Sequence, residues 1–191
     1  DLDSTNALLE LRLLFGSEAM VAKVRKKVES LVRGTYEKWF VVSKLNESRN
    51  RKEKYGSSIY LLEPNVKEGE GGLRDIHSLK WLSFALLDSS NLEVMVKRNV
   101  LQQSEYEALA QAMDFLLSVR TALHLSEGRK VDALAFNKQP LVAQALGYES
   151  DTILLAEEKM MKDYYHHARY IDRYTLKATR NITAKSHPIV G

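Results

Sequence analysis

The chain has 191 residues, with 28 Lys and Arg against 25 Asp and Glu, 45% hydrophobic residues and no Cys. That length allows one domain or two small ones around a real core, and the apolar fraction excludes disorder over the whole chain. Without Cys there is no disulfide, Cys-bound zinc, iron–sulfur cluster or thiol nucleophile, and apolar runs such as Trp39–Val42 fall far short of the roughly 20 residues that cross a bilayer.

Helical spacing of apolar residues runs through nearly the whole chain and predicts helices over 3–15, 18–33, 36–55, 74–87, 91–98, 104–127, 139–146 and 152–181. The chain begins with Asp1 rather than Met and opens directly into the first of these patterns, so a segment of a longer protein is expected. The second carries Val21, Val24, Val28, Leu31 and Val32 on one face, and the fourth carries Ile76, Leu79, Leu82 and Leu86. In the sixth, the stripe reads Tyr106, Leu109, Met113, Leu116, Leu117, Arg120, Leu123 and His124. Ser104 and Glu107 have capping-box spacing, Gly34 and Gly128 suit helix ends, and Pro140 suits a first helical turn. Ser57–Leu62 is short and β-tolerant, but no clean strand alternation stands out. The expectation is an all-α bundle with long antiparallel helices, a helical domain over 18–182 and a flexible tail over 183–191.

Charge is uneven along this frame. Residues 21–54 hold eleven Lys and Arg against four Glu, a local surplus of seven positive charges. Such a stretch attracts phosphate-bearing ligands or an acidic partner, or simply forms solvated helix faces. Two breaks differ in composition from the helices, Gly56–Gly72 and Gly128–Gln139, and the first is long for a compact helical domain. Its end, Lys67-Glu68-Gly69-Glu70-Gly71-Gly72-Leu73-Arg74-Asp75, offers glycines, a helix start and two cations. Those are the parts of a phosphate cradle. They are equally the parts of a capping turn in which Asp75 favours the helix N-terminus and Arg74 pairs with a nearby carboxylate.

Several chemistries lack their residues. The loop has no Gly-Lys-Ser/Thr ending and is not a P-loop. Asp1-Leu2-Asp3 has the spacing of a Mg²⁺-binding carboxylate pair but no Gly-Ser stretch beside it. None of His77, His124, His166, His167 or His187 is followed by Asp, as a histidine–aspartate phosphohydrolase needs, and the adjacent His166 and His167 diverge on a helix. No Gly-x-Ser-x-Gly elbow anchors a triad. Arg120 lies on an apolar stripe, where it needs either a buried ion pair or a ligand. Met160, Met161, Tyr164, Tyr165, Tyr170 and Tyr174 are placed in the core or on a partner-helix surface.

The run Leu61-Leu62-Glu63-Pro64-Asn65-Val66-Lys67-Glu68-Gly69-Glu70-Gly71-Gly72-Leu73-Arg74-Asp75-Ile76-His77 closely resembles the signature found after the catalytic domain in bifunctional PII-protein uridylyltransferase and uridylyl-removing enzymes. The resemblance extends to Thr5–Leu13 with Gly16, to Val119-Arg120-Thr121-Ala122-Leu123-His124, to Phe136, Gln139, Val142-Ala143 and Leu146-Gly147-Tyr148, and to Met160–Tyr165, about 5–175 in all. Glu70 stands where the family more often has Pro, a change expected to loosen the loop.

The resemblance implies a cytoplasmic parent enzyme that uses Mg²⁺ and UTP to transfer UMP to a tyrosine of the PII nitrogen-signalling protein. Uridylyl removal and glutamine sensing are expected in other domains. The family's Gly-Ser…Asp-x-Asp carboxylates are expected before Asp1 and its hydrolase residues after Gly191, so no catalytic or metal-binding residue and no bound cofactor is expected in this chain. Residues 1–17 then read as the helix leaving the nucleotidyltransferase core, and the rest as the helical domain that helps close over its nucleotide and links to the downstream domains. On that analogy Lys67, Arg74 and Asp75 are candidates for nucleotide or interdomain contact, Arg120 is a further one, and Asn65, Gly71 and Gly72 shape the loop. Partners are the PII protein and the adjoining core, with neither DNA nor membrane expected. The competing readings are a related nucleotidyltransferase with another acceptor, and a non-catalytic helical scaffold whose basic face binds a protein or nucleic acid.

Overall fold

The computed structural model describes residues 1–56 and 58–186, the side chains through Ala184. The described residues form eight α-helices, in chain order: α1 (Leu2–Leu9), α2 (Glu18–Val32), α3 (Glu37–Tyr55), α4 (Leu73–Leu87), α5 (Glu93–Lys97), α6 (Gln103–Glu127), α7 (Gln139–Ala145) and α8 (Ala156–Ser186). A 3-10 turn at Phe136–Lys138 leads into α7. Apart from one isolated bridge, no β-structure occurs among the described residues, so the chain is all-α as its periodicity predicts.

The centre of the bundle is the α6/α8 pair. Leu109, Ala112, Leu116, Val119 and Leu123 of α6 are spaced alternately by three and four residues and buried. Tyr164, Ala168, Ile171, Thr175, Ala178 and Ile182 of α8 repeat that spacing. Two such seams interlock side chain into gap, in the manner of a short coiled coil. Their direction is antiparallel: Lys177 Nζ reaches Glu105 at 2.7 Å near one end, and His167 stacks on Phe115 further along, ring centroids 4.4 Å apart. This seam is turned relative to the predicted stripe. Arg120 and His124 lie at its margin, half-buried, and Leu117 is exposed. Met160, Met161 and Tyr164 are buried, and Tyr165, Tyr170 and Tyr174 pack against the core.

Several ends differ from expectation. The first helix stops at Leu9, because the next segment finds nothing to pack on: Leu14 and Phe15 are 85% and 98% exposed, and Gly16 takes φ +116°. The capping box at α6 is formed by Gln102 and Glu105 rather than Ser104 and Glu107. Glu105 accepts the Gln102 N–H at 2.9 Å and also holds Lys177. Gly128 ends α6 in the left-handed conformation, and Pro140 sits in the first turn of α7. The last helix starts at Ala156 and runs through Ser186, so part of the predicted tail is helical. His187 and the rest of 187–191, like Ser57, lie outside the described residues, and 58–62 form no strand.

The two loops of unusual composition are zipped together. Val66 N–H donates to the Asp132 carbonyl at 2.8 Å and Leu134 N–H to the Pro64 carbonyl at 2.9 Å, with Asn65 facing Ala133 in antiparallel fashion. Gln139 Nε2 donates to the Leu62 carbonyl, Phe136 N–H to Glu63, and Tyr165 Oη to the Leu61 carbonyl. The long loop is thus part of the packed structure, with Val66 and Leu134 fully buried.

Candidate functional site

The glycine-bearing loop spends its backbone donors on itself. Asn65 Oδ1 accepts from Lys67 N–H and Glu68 N–H, Gly69 N–H donates to the Asn65 carbonyl, and Gly72 N–H to the Gly69 carbonyl. Leu73 and Arg74 N–H donate to the Val66 and Lys67 carbonyls, and Gly71 N–H to Asp75 Oδ2. With these groups engaged, the loop does not form the backbone cradle that a phosphate needs. It is a capping turn, whose chemistry lies in its side chains. Asn65, Gly71 and Gly72 shape it in distinct ways: Asn65 by its side-chain acceptor, Gly71 through φ +70° and close approach to α8, and Gly72 by lying against the Gly69 carbonyl.

Asp75 sits under this turn, buried, in an ion pair with Arg51 of α3. Burial pushes the Asp75 carboxyl up, opposed by the charges of Arg51 and Lys52 and by the Gly71 N–H. Asp75 is thus a structural clamp in the described fold. Glu70 does not loosen the loop: Lys52 Nζ bridges it to Asp172 of α8, at 2.6 and 3.0 Å.

Lys67 and Arg74 converge on Glu68. Lys67 Nζ is 3.1 Å from Oε1, and Arg74 reaches both oxygens, at 3.1 and 3.3 Å. Burial raises the Glu68 carboxyl, but hydrogen bonds from Arg74 and Lys67 outweigh it and hold it below the usual range. On the other side of Arg74 lies Trp81, whose ring also carries Lys44 Nζ, 3.8 Å from its centroid. Lys44 is fully buried at its side chain and paired with Glu47 at 2.5 Å. Desolvation lowers its pKa, Glu47 raises it, and the charges of Arg74 and Arg51 lower it further.

Lys44, Glu47 and Arg51 are three and four residues apart and so share one face of α3. Glu47 and Arg51, with Ser43, Asn46, Asn50 and Lys54, line a groove of about 540 Å³, to which Glu68 contributes from the loop and Leu2 from α1. The basic stretch 21–54 is therefore not all solvated surface, since Lys44 and Arg51 are inside. Sequence reasoning missed both; their spacing with Glu47 was the available signal.

Arg120 finds its partner in the second loop: Nε donates to Asp132 Oδ1 at 2.7 Å, with His124 Nε2 3.1 Å from the same oxygen. Burial raises the Asp132 carboxyl, and hydrogen bonds from Arg120 and His124 bring it below its ordinary value. Between these clusters stands His77. Burial, then the charges of Arg74, Lys80, Lys67 and Arg120, push its imidazole down to about 4. The structure thus gathers Lys67, Arg74 and Arg120 around one histidine, while Asp75 faces α3.

Among the described residues no group of three His, Asp or Glu side chains is placed to hold a metal ion, and no helix is long and apolar enough to cross a membrane. The donor set here does not fit Mg²⁺.

The family model described as GlnD PII-uridylyltransferase matches residues 39–178, which include the α3 and loop walls of the groove, His77 and the Arg120–Asp132 pair. The chain belongs to this family. Its curated relatives include bifunctional uridylyltransferase/uridylyl-removing enzymes. The protein of Caulobacter vibrioides is 34% identical over 97% of this chain and 20% of its own length. That of Azotobacter vinelandii is 39% identical over 86% and 18%, and that of Nitrobacter winogradskyi 36% identical over 92% and 19%. The chain therefore spans about a fifth of the length of these uridylyltransferase relatives. No solved structure matches it.

Proposed function

We propose that this chain is the helical segment of a cytoplasmic PII-uridylyltransferase, an enzyme that transfers UMP from UTP to a tyrosine of the PII protein, and that it helps close the nucleotide site. The observation that carries the reading is the family match over 39–178, which takes in the cation cluster and every lining residue of the groove except Leu2. In this reading the transferase carboxylates and their Mg²⁺ belong to an adjoining core. Uridylyl removal and glutamine sensing fall to other parts of the parent enzyme.

In this reading the chain does not carry out the transfer step. Lys67 and Arg74 hold positive charge behind Glu68, which lines the groove and sets their positions, and the Arg51–Asp75 pair keeps the turn against α3. The test is UMP transfer from UTP to PII by the parent enzyme carrying Arg74→Ala. A raised KM for UTP with an unchanged melting temperature supports nucleotide contact; unchanged kinetics with a lowered melting temperature leaves Arg74 as the partner of Glu68 alone. The 191-residue chain by itself is expected to show no turnover, and measurable transfer would place the catalytic carboxylates inside it.

A further inference from the structure

Arg51 is more than nine-tenths buried, yet its donors are only partly used. Nη2 donates to Ser48 Oγ and to Asp75 Oδ1, whereas Nε and Nη1 find no acceptor among the described residues. Leaving buried guanidinium donors unmatched is costly, so such a group is either strained or waiting for a partner. Arg51 lines the groove between α3 and the 65–71 loop. Nε and Nη1 do not share one edge of the guanidinium fork, so a single carboxylate cannot take both, while a ligand with several oxygens can.

We propose that this groove binds phosphate oxyanions, with Arg51 as its buried anchoring donor, Lys54 as a cation at its wall and Asn46 and Asn50 as further hydrogen-bonding groups. The volume, about 540 Å³, is within the roughly 300–1,000 Å³ of small-ligand sites. Two carboxylates also line it, and both are neutralised in place: Glu47 by Lys44, and Glu68 by Lys67 and Arg74. The lining itself carries Arg51 and Lys54 against Glu47 and Glu68, and the positive surplus comes from behind it, where Lys44, Lys67 and Arg74 pair with those two carboxylates and Asp75 pairs with Arg51. An arriving phosphate competes with Glu68 for Lys67 and Arg74, which turns the internal ion pairs into a reserve of ligand contacts. That the phosphate belongs to a nucleoside triphosphate rests on the function proposed above.

The experiment is calorimetric titration of the 191-residue chain with inorganic tripolyphosphate at low salt, where exposed charges are least screened. Arg51→Lys keeps a cation beside Asp75 but removes the Nε and Nη1 donors, and is expected to weaken binding by about ten-fold or more. Lys54→Ala, on an exposed residue, is expected to weaken it by about three-fold with no change in melting temperature. Glu68→Gln is expected to tighten it, since it removes a competing carboxylate and releases two cations, an outcome that a merely structural role of the cluster does not produce. No binding, or binding indifferent to Lys54→Ala and Glu68→Gln, overturns the proposal even if Arg51→Lys fails to fold. A second titration with UTP separates the two readings: failure of UTP to displace tripolyphosphate leaves the phosphate groove standing and removes the nucleotide assignment.

Discussion

Arg51 and Asp75, 24 residues apart in sequence, meet as an ion pair with each side chain only 6% exposed. A pair this deep contributes little net stability against a well-packed apolar substitute, but breaking it from one side strands a charge. Asp75→Ala is therefore expected to destabilise the fold by about 3–5 kcal/mol. Combining it with Arg51→Met is expected to restore most of the loss. Urea unfolding of the single and double variants measures this, and equal losses in both would mean that the pair is not coupled.

The second expectation concerns two glycines with nearly the same backbone. Gly71 and Gly128 have φ of +70° and +63°, so an alanine at either carries the left-handed cost of roughly 1–2 kcal/mol. At Gly128 nothing lies within 4 Å of an added Cβ, whereas at Gly71 that atom would stand 2.3 Å from the Ala168 carbonyl. Gly71→Ala must then push the loop away from α8, and its loss of stability is expected to exceed that of Gly128→Ala by at least about 1–2 kcal/mol. Thermal melts of the two variants side by side decide it.

A third rests on His77, whose pKa in the fold is about 4 against the ordinary 6.5. The unfolded chain binds a proton here that the folded chain does not, so stability rises with pH between these values. Acidification from about pH 6.5 towards 4 is expected to cost roughly 1–2 kcal/mol through this residue, allowing for its partial exposure. In His77→Gln that slope should flatten. An unchanged pH profile would show that the imidazole is not held neutral by burial and its cationic neighbours.

A fourth compares two ion pairs. Arg120 holds Asp132, whose backbone carbonyl takes the Val66 N–H, so the pair braces the joint between the loops. Lys159 and Asp151 form a more exposed pair. Arg120→Ala is expected to cost about 1–2 kcal/mol and to speed hydrogen exchange at the Val66 amide. Lys159→Ala is expected to cost far less, because that pair is screened by solvent.

Helix positions were legible because the apolar spacing of α2, α4, α6 and α8 reflects real burial. The end of α1 was not, since Leu13, Leu14 and Phe15 carry an apolar pattern that the fold leaves exposed. The capping box was misplaced because Ser is intrinsically the better cap, while Glu105 gains from Lys177, far away in sequence. At the site, Lys67, Arg74, Asp75 and Arg120 were recognisable as charges in unusual places, but only Glu68 was close enough in sequence to suggest itself as a partner. Arg51 and Asp132 come from other elements, and His77 looked like one more residue of an amphipathic helix. Pairings of this kind are properties of the packed fold.

The bridge between Asn65 and Ala133 also bears on the order of folding. Helices form from contacts a few residues apart, whereas this joint closes a stretch of roughly 70 residues and must wait for α4 and α6 to come together. During refolding, helical signal should therefore return before the amides of Val66 and Leu134 become protected. A partly folded species of this kind would be rich in helix while Lys67 and Arg74 still wander from Arg51. For this chain, helicity and the ability to hold a ligand are acquired at different times.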